Sequence, residues 1–317
     1  MAVYTLVSTE RLADFLHGYA VGELVSAKGI AEGVENTNYL VDTTVGRFIL
    51  TLYEKRVAAG DLPYFMALLD HLAERELPVP RAIRNRQGAA IGELENRPAC
   101  LIEFLPGVSL SQPTRTQAHA AGVALGQLHC AATTFGQERA NSMGVDQWRP
   151  LFERCGRDLD AIQPGLHDAL AGELDRVLGA WDHGLSRGTI HADLFPDNVL
   201  MRGDEVSGLI DFYFACTDVR ALDLAITHSA WSFDATGGQV DWEVGRALIE
   251  GYQQSVRLSG EEKAAFQTLC EGACIRFLLS RAWDWLNTPA DALVTRKDPL
   301  AYWRRLQTYK NQGSLFA

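Results

Sequence analysis

The sequence predicts an α+β protein of two lobes: a small lobe rich in antiparallel sheet over residues 1–105 and a larger, mainly helical lobe over residues 106–317. Three observations predict it. Runs rich in β-branched and aromatic residues concentrate ahead of residue 105. Helical periodicity dominates from Thr116 onward, broken only by strand-like runs between 189 and 214. Strands and helices do not alternate through the chain, which argues against a parallel βαβ sheet. At 317 residues and 47% apolar, the chain can bury the core of one large domain or of two lobes.

Taken in order, STERLADFLHGY reads as a short amphipathic helix. NTNYLVDT and RFILTLYE read as a β-hairpin around a turn at Gly46. Asp61 is placed to cap LPYFMALLDHLAERE, where Phe65, Leu68, Leu69 and Leu72 keep helical spacing. LPVP ends that helix, because proline cannot continue it. RAIR and AAIGEL are strand signals separated by the turn NRQG, and PACLIEFLPG runs as a strand into a Pro-Gly break, a hinge at 103–108. QAHAAGVALGQLHCAA, RPLFERCGRDLDAI and GELDRVLGAWDHG follow as helices, and long helices return from Ala221.

Lys plus Arg number 29 against 40 Asp plus Glu, a net charge of −11. So acidic a chain is a poor binder of nucleic acid or anionic lipid, and any anion must be held locally. No apolar run approaches the roughly 18 residues of a membrane span. The start, MAVYTLVSTERLADF, has neither a basic n-region nor an apolar h-region, so a cytoplasmic location is expected. Cysteines 100, 130, 155, 216, 270 and 274 form no CxxC, and reduced, mostly buried thiols are expected.

The chemistry concentrates in HADLFPDNVL, residues 191–200, and in LIDFYFA shortly after it. In NVLMRGDEVSGLID, a hairpin closed by Asp204-Glu205 would set Asn198 opposite Asp211, although Gly203 could shift the turn by one. That pairing would place an amide oxygen beside a carboxylate, hard ligands suited to Mg²⁺. Asp193 stands on a loop that Pro196 keeps from becoming helix. A carboxylate there can accept the proton of a hydroxyl, and phosphoryl transfer needs little more than an oriented nucleophile, a cation on the phosphates and in-line geometry. The alternative, a metallohydrolase on His191 and Asp193, would need further His or carboxylate ligands converging on them.

HADLFPDN is similar to the H-x-D-x-x-x-x-N catalytic loop of the aminoglycoside-phosphotransferase-like kinases, and LIDF resembles their metal-binding segment. The resemblance implies a two-lobed, protein-kinase-like fold that uses ATP and Mg²⁺. It makes Asp193 the catalytic base, Asn198 and Asp211 the Mg²⁺ ligands, and His191 and Asp223 structural supports. GIAEGVENTNYLV resembles the phosphate-covering loop, with Gly29 and Gly33 allowing close backbone approach and Asn36 and Asn38 supplying donors. Adenine would be held by backbone groups of Glu103 to Leu105, with Ile49 and Leu101 sandwiching the ring. One departure stands out. The third-strand lysine of such kinases is replaced by Thr51, and LPYFMALLDHL offers no glutamate to orient one. Lys55 or Arg47 could substitute. A nucleotide-binding regulator without transfer activity is the alternative this leaves open, although Asp193 and Asp211 are both present.

Within that superfamily the chain resembles the homoserine kinases of bacterial threonine biosynthesis, through GIAEGVENTNYLV, RFILTLYE with its threonine, LIDFYFACTD and RFLLSRAWDW. The resemblance implies phosphorylation of the L-homoserine hydroxyl to O-phospho-L-homoserine. Choline, ethanolamine, methylthioribose and aminoglycosides are the alternative acceptors. A homoserine carboxylate wants an arginine. Arg276, sharing a helix face with Ser280, is the candidate. Arg281, about 140° further round the helix, is expected to form an i, i+3 surface pair with Asp284. Tyr213 and Trp231 are candidate pocket walls, Trp231 more naturally a core residue.

Overall fold

The structure is a computed structural model that describes residues 5–30, 36–54, 58–288 and 296–316. The chain divides into two compact units, Met1–Gly107 with Ser207–Tyr213, and Val108–Val206 with Phe214–Ala317.

The smaller unit contains α1 (Thr9–His17), β1 (Leu24–Ile30), β2 (Thr37–Thr43), β3 (Arg47–Leu52), α2 (Leu62–Ala73), β4 (Ala82–Ile83), β5 (Gly92–Leu94) and β6 (Arg97–Glu103). Its sheet is antiparallel, in the order β1-β2-β3-β6-β4. RAIR and AAIGEL do not pair with each other. β4 pairs with Leu101 and Ile102, β5 with Arg97 to Ala99, so the two lie end to end along the edge of β6 that β3 leaves open. Glu95 and Asn96, both at positive φ, make the tight β5–β6 turn. Strand alternation gives the sheet two unlike faces. Tyr39, Val41, Leu50, Leu52, Ala99 and Leu101 form one face and are buried against Leu12, Leu16 and Tyr19. Ser8 starts α1 by accepting the Arg11 N–H on its hydroxyl.

The larger unit contains α3 (Arg115–Ala132), α4 (Val145–Cys155), α5 (Leu159–Ile162), α6 (Leu166–Gly179), β7 (Arg187–Ile190), β8 (Val199–Arg202), the start of β9 (Glu205–Leu209), β10 (Cys216–Val219), α7 (Arg220–Trp231), α8 (Trp242–Tyr252), α9 (Gly260–Asn287) and α10 (Leu300–Gln312). Capping boxes start α3 (Thr114, Gln117) and the 28-residue α9 (Ser259, Glu262). α7 is buried all round from Ala221 to Trp231, as expected of a helix through the middle of a core. The segment Ser207–Tyr213 belongs with the smaller unit, unlike the sequence-based boundary, because the Leu209 N–H donates to the Pro78 carbonyl at 2.7 Å and Tyr213 meets Tyr53, hydroxyl to hydroxyl, at 3.0 Å. Among the described residues no helix is long and apolar enough to cross a membrane. The six cysteines are free thiols, all buried except Cys130.

α3 and α8 cross at backbone distance, which only glycine allows. A Cβ on Gly122 would meet the Leu248 carbonyl oxygen at 2.0 Å, and one on Gly251 would meet that of His119 at 2.1 Å. Gly122→Ala must therefore push α8 away, and should lower stability by about 2 kcal/mol and the melting temperature by several degrees. Calorimetry checks this, and an unchanged melting temperature would show that the crossing can slide.

Candidate active site

The loop HADLFPDNVL is built from the backbone outward. β7 pairs antiparallel with β10, Ile190 opposite Cys216 and Arg187 opposite Val219, and β10 runs directly into α7. Three residues into that helix, Asp223 meets the residues that follow β7. Its carboxylate accepts the His191 N–H at 2.7 Å and the Ala192 N–H at 2.8 Å. Ala192 sits at φ 63°, a conformation disfavoured for any residue with a Cβ. Two successive amides converging on one carboxylate offset that strain.

The same carboxylate meets Nε2 of His129 on α3 at 3.0 Å, and Nδ1 of His129 meets the Tyr252 hydroxyl at 2.9 Å. Burial raises the Tyr252 pKa, so this phenol keeps its proton and donates it to Nδ1. Nε2 then carries the hydrogen that faces Asp223. Burial works against charge on Asp223, but the hydrogen bonds from His129 and the His191 backbone, together with both imidazoles, prevail and hold its carboxyl below the ordinary range.

From that anchor the loop is tied residue by residue. His191 is fully buried, and its Nδ1 accepts the Asp193 N–H at 3.3 Å, a scaffold position. Trp231 donates its indole N–H to the Leu194 carbonyl at 2.9 Å. Pro196–Asn198 form one 3₁₀ turn. Asn198 donates Nδ2 to the Asp193 carbonyl at 2.8 Å, with the Asp193 carboxylate at 3.4 Å. Both bonds engage the amide nitrogen of Asn198. Asp193 itself is half-buried at the loop's centre.

The Asn198–Asp211 ladder expected from the sequence does not form. β8 ends at Arg202 and β9 starts at Glu205, so the two-residue loop is Gly203-Asp204, with Gly203 at φ 63°. Glycine takes the left-handed position, which moves the turn by one residue and each residue's partner by two. Asn198 lies before β8 and Asp211 after β9, exposed and itself at φ 64°.

In the smaller unit, Gly29 is a strand residue opposite Tyr39, and Gly33 and Lys55 lie outside the described residues. The carboxamide oxygens of Asn36 and Asn38 are engaged internally, by the Glu54 N–H at 3.3 Å and the Thr51 hydroxyl at 2.8 Å. Thr51 is thus half of a neutral pair where related kinases carry a cation. Arg47, one suggested substitute, pairs with Asp42 at 2.6 Å and lies over Phe104. Leu101 does not share a face with Ile49. It is buried on the α1 side beside Leu50, while Ile49 stands opposite Ile102. Lys28, Leu40, Ile49 and Ile102 oppose one another in succession across four strands and share one face. The three apolar members are half-buried and Lys28 is exposed. Ile102 and Lys28 were missed by sequence reasoning, although strand parity could have found Ile102. The Glu103 N–H is committed to the Arg81 carbonyl at 3.0 Å, and half-buried Leu105 follows the end of β6.

Tyr213, half-buried, packs edge-on against Tyr53 and Phe65 of the smaller unit, and burial raises its pKa. Arg276 is 3% exposed, its guanidinium lying over Phe277 at 4.1 Å and Phe214 at 5.5 Å.

A family model described as "Phosphotransferase enzyme family" matches residues 26–258. The homoserine kinase of Zymomonas mobilis subsp. mobilis is 52% identical over 98% of this chain and 97% of its own length. That of Nitrobacter winogradskyi is 51% identical over 99% and 96%. The chain belongs to the homoserine kinase family of phosphotransferases. Solved structures share its kinase-like α+β fold. An amicoumacin kinase in complex with AMP-PNP, Ca²⁺ and Ami aligns with a TM-score of 0.74 at 13% identity, over 98% of this chain and 95% of that one. A microcompartment-associated aminopropanol kinase aligns at 0.71 and 20% identity, over 95% of each chain.

Asp223→Asn should destabilise the enzyme by about 3 kcal/mol at pH 7, since it removes a buried carboxylate on which two backbone amides and an imidazole N–H converge. The carboxyl titrates below its ordinary 3.8 in the fold, so its contribution is present above that value and is lost as pH falls through the depressed one. Urea melts of parent and variant should converge progressively in acid. A constant gap from pH 7 to pH 3 would show that the charge contributes nothing.

Proposed function

We propose that this enzyme transfers the γ-phosphoryl group of ATP to the side-chain hydroxyl of L-homoserine, giving O-phospho-L-homoserine and ADP, in the cytoplasm and toward threonine. The observation that carries the reading is half-identity with homoserine kinases over nearly the whole chain, together with an HADLFPDN loop held rigid around Asp193. That likeness favours homoserine over choline, ethanolamine, methylthioribose or an aminoglycoside as the acceptor.

Asp193 accepts the proton of the homoserine hydroxyl as its oxygen forms the new bond to γ-phosphorus. The bond from γ-phosphorus to the bridging oxygen breaks, and that electron pair leaves on ADP. The loop's role is positional, because phosphoryl transfer gains most from orientation and electrostatics. By the catalytic-loop pattern, Asn198 and Asp211 hold Mg²⁺, and a carboxamide oxygen plus a carboxylate suit that hard cation. When bound, Mg²⁺ offsets negative charge on the phosphate oxygens. The half-buried row Leu40, Ile49 and Ile102 offers the adenine ring an apolar platform, and Lys28 at its end supplies a phosphate cation where Thr51 does not.

Asp193→Ala should lower kcat on homoserine by about 1,000-fold or more while leaving the Kd for ATP within a factor of about two, since the lost group acts in the transition state. Coupled ADP release with a panel of small alcohols, and calorimetric nucleotide titration, measure both. Turnover on another alcohol but none on homoserine would refute the substrate, and an active Asp193→Ala would remove it from the mechanism. Lys28→Met should raise the KM for ATP about 10-fold and leave that for homoserine unchanged. An unaltered KM for ATP would leave the phosphate cation to another residue.

A further inference from the structure

An aromatic stack leads from the catalytic loop to a second guanidinium. Phe195, two residues beyond Asp193, meets Phe277 of α9 edge to face, with centroids 5.0 Å apart. Phe277 stacks on Tyr302 of α10 at 5.0 Å and 22°. Arg281, one helical turn beyond Phe277, lies over the same Tyr302 ring at 4.6 Å. Lys297 lies over Phe195 at 5.9 Å. Tyr302 is fully buried, yet its hydroxyl has no hydrogen-bond partner among the described residues.

Arg281 is half-buried; it donates Nη1 to the Asp298 carbonyl at 3.3 Å, and no ion pair is seen for it among the described residues. Burial lowers its pKa, with Arg305 acting in the same sense and Tyr302, Asp193 and Asp298 opposing. A charged side chain in such a place is normally matched by an anion.

We propose that Arg281, aided by the Tyr302 hydroxyl, receives the carboxylate of the amino-acid acceptor and so determines the preference for it. The assignment rests on the homoserine reading above. Homoserine separates its hydroxyl from its carboxylate by only about 5 Å when extended. With the hydroxyl on Asp193, the carboxylate must meet a cation beside that loop. Arg281 stands at the end of the ring stack that starts at Phe195, two residues beyond Asp193, and presents a planar fork to a planar anion. Arg276, the choice from sequence, is enclosed between Phe214 and Phe277, whose ring faces stabilise its charge.

The test compares L-homoserine with 3-aminopropan-1-ol, which keeps the hydroxyl and the amine and lacks the carboxylate. In Arg281→Gln, kcat/KM for homoserine should fall about 100-fold, mainly through KM. Turnover of 3-aminopropan-1-ol and the KM for ATP should stay at parental values. Arg281→Lys, which keeps the charge without the fork, should lose about 10-fold on homoserine alone. Tyr302→Phe should likewise lose several-fold on homoserine only. Should Arg281→Gln melt well below the parent, the other two variants carry the same comparison. Equal losses on both alcohols, or a preserved preference for homoserine, would overturn the assignment. A parent chain that leaves homoserine untouched would overturn the functional reading itself, and this assignment with it.

Discussion

The constraint on which the catalytic unit depends is the hydration of one carboxylate by protein groups. Asp223 is fully buried, so its carboxylate must be met by donors from the chain. Those donors come from three places: two amides after β7, an imidazole on α3, and through that imidazole a phenol on α8. The left-handed turn at Ala192 exists because the anion rewards it. Removing the charge would leave amides and an imidazole unsatisfied in the core, and the loop carrying Asp193 would lose its reference point. The glycine crossing of α3 and α8 serves the same end, since it sets how deeply His129 and Tyr252 reach.

The smaller unit shows how a sheet can be both core and platform. Parity sorts its residues onto two faces, and α1 seals one of them with Leu12, Leu16 and Tyr19. The other keeps a half-buried apolar row. On that face Thr51 donates a neutral hydrogen bond to Asn38, and α2 carries no glutamate.

Charge distribution reconciles an acidic protein with anionic ligands. The net charge of −11 discourages diffuse anion binding. Cations are instead concentrated on α9, α10 and the approach to α10, where Arg276, Arg281, Lys297 and Arg305 lie over aromatic rings. Ring faces stabilise these charges without neutralising them, which keeps a guanidinium available for a small carboxylate. Local placement replaces overall charge as the means of recognition.

The sequence by itself determined the α+β class, through strand composition and helical period. The scaffold places of His191 and Asp223 entered only as what the resemblance of HADLFPDN to a kinase loop implied, and the structure shows the bonds they make. The sequence did not determine which face of the sheet lies open. Leu101 and Ile102 are both apolar, and only the packing of α1 decides which is sealed. The β8–β9 register turned on which residue takes positive φ, and Gly203 takes it. Arg276 and Arg281 were separable by angle on one helix, but a helical wheel has no absolute direction. The positions of Phe277 and Tyr302 fixed that direction, and so placed the first arginine over Phe277 and Phe214 and the second over Tyr302. Local pattern specifies elements, because neighbours in sequence supply its physics. Facing and register are specified by neighbours in space, which the linear chain does not name.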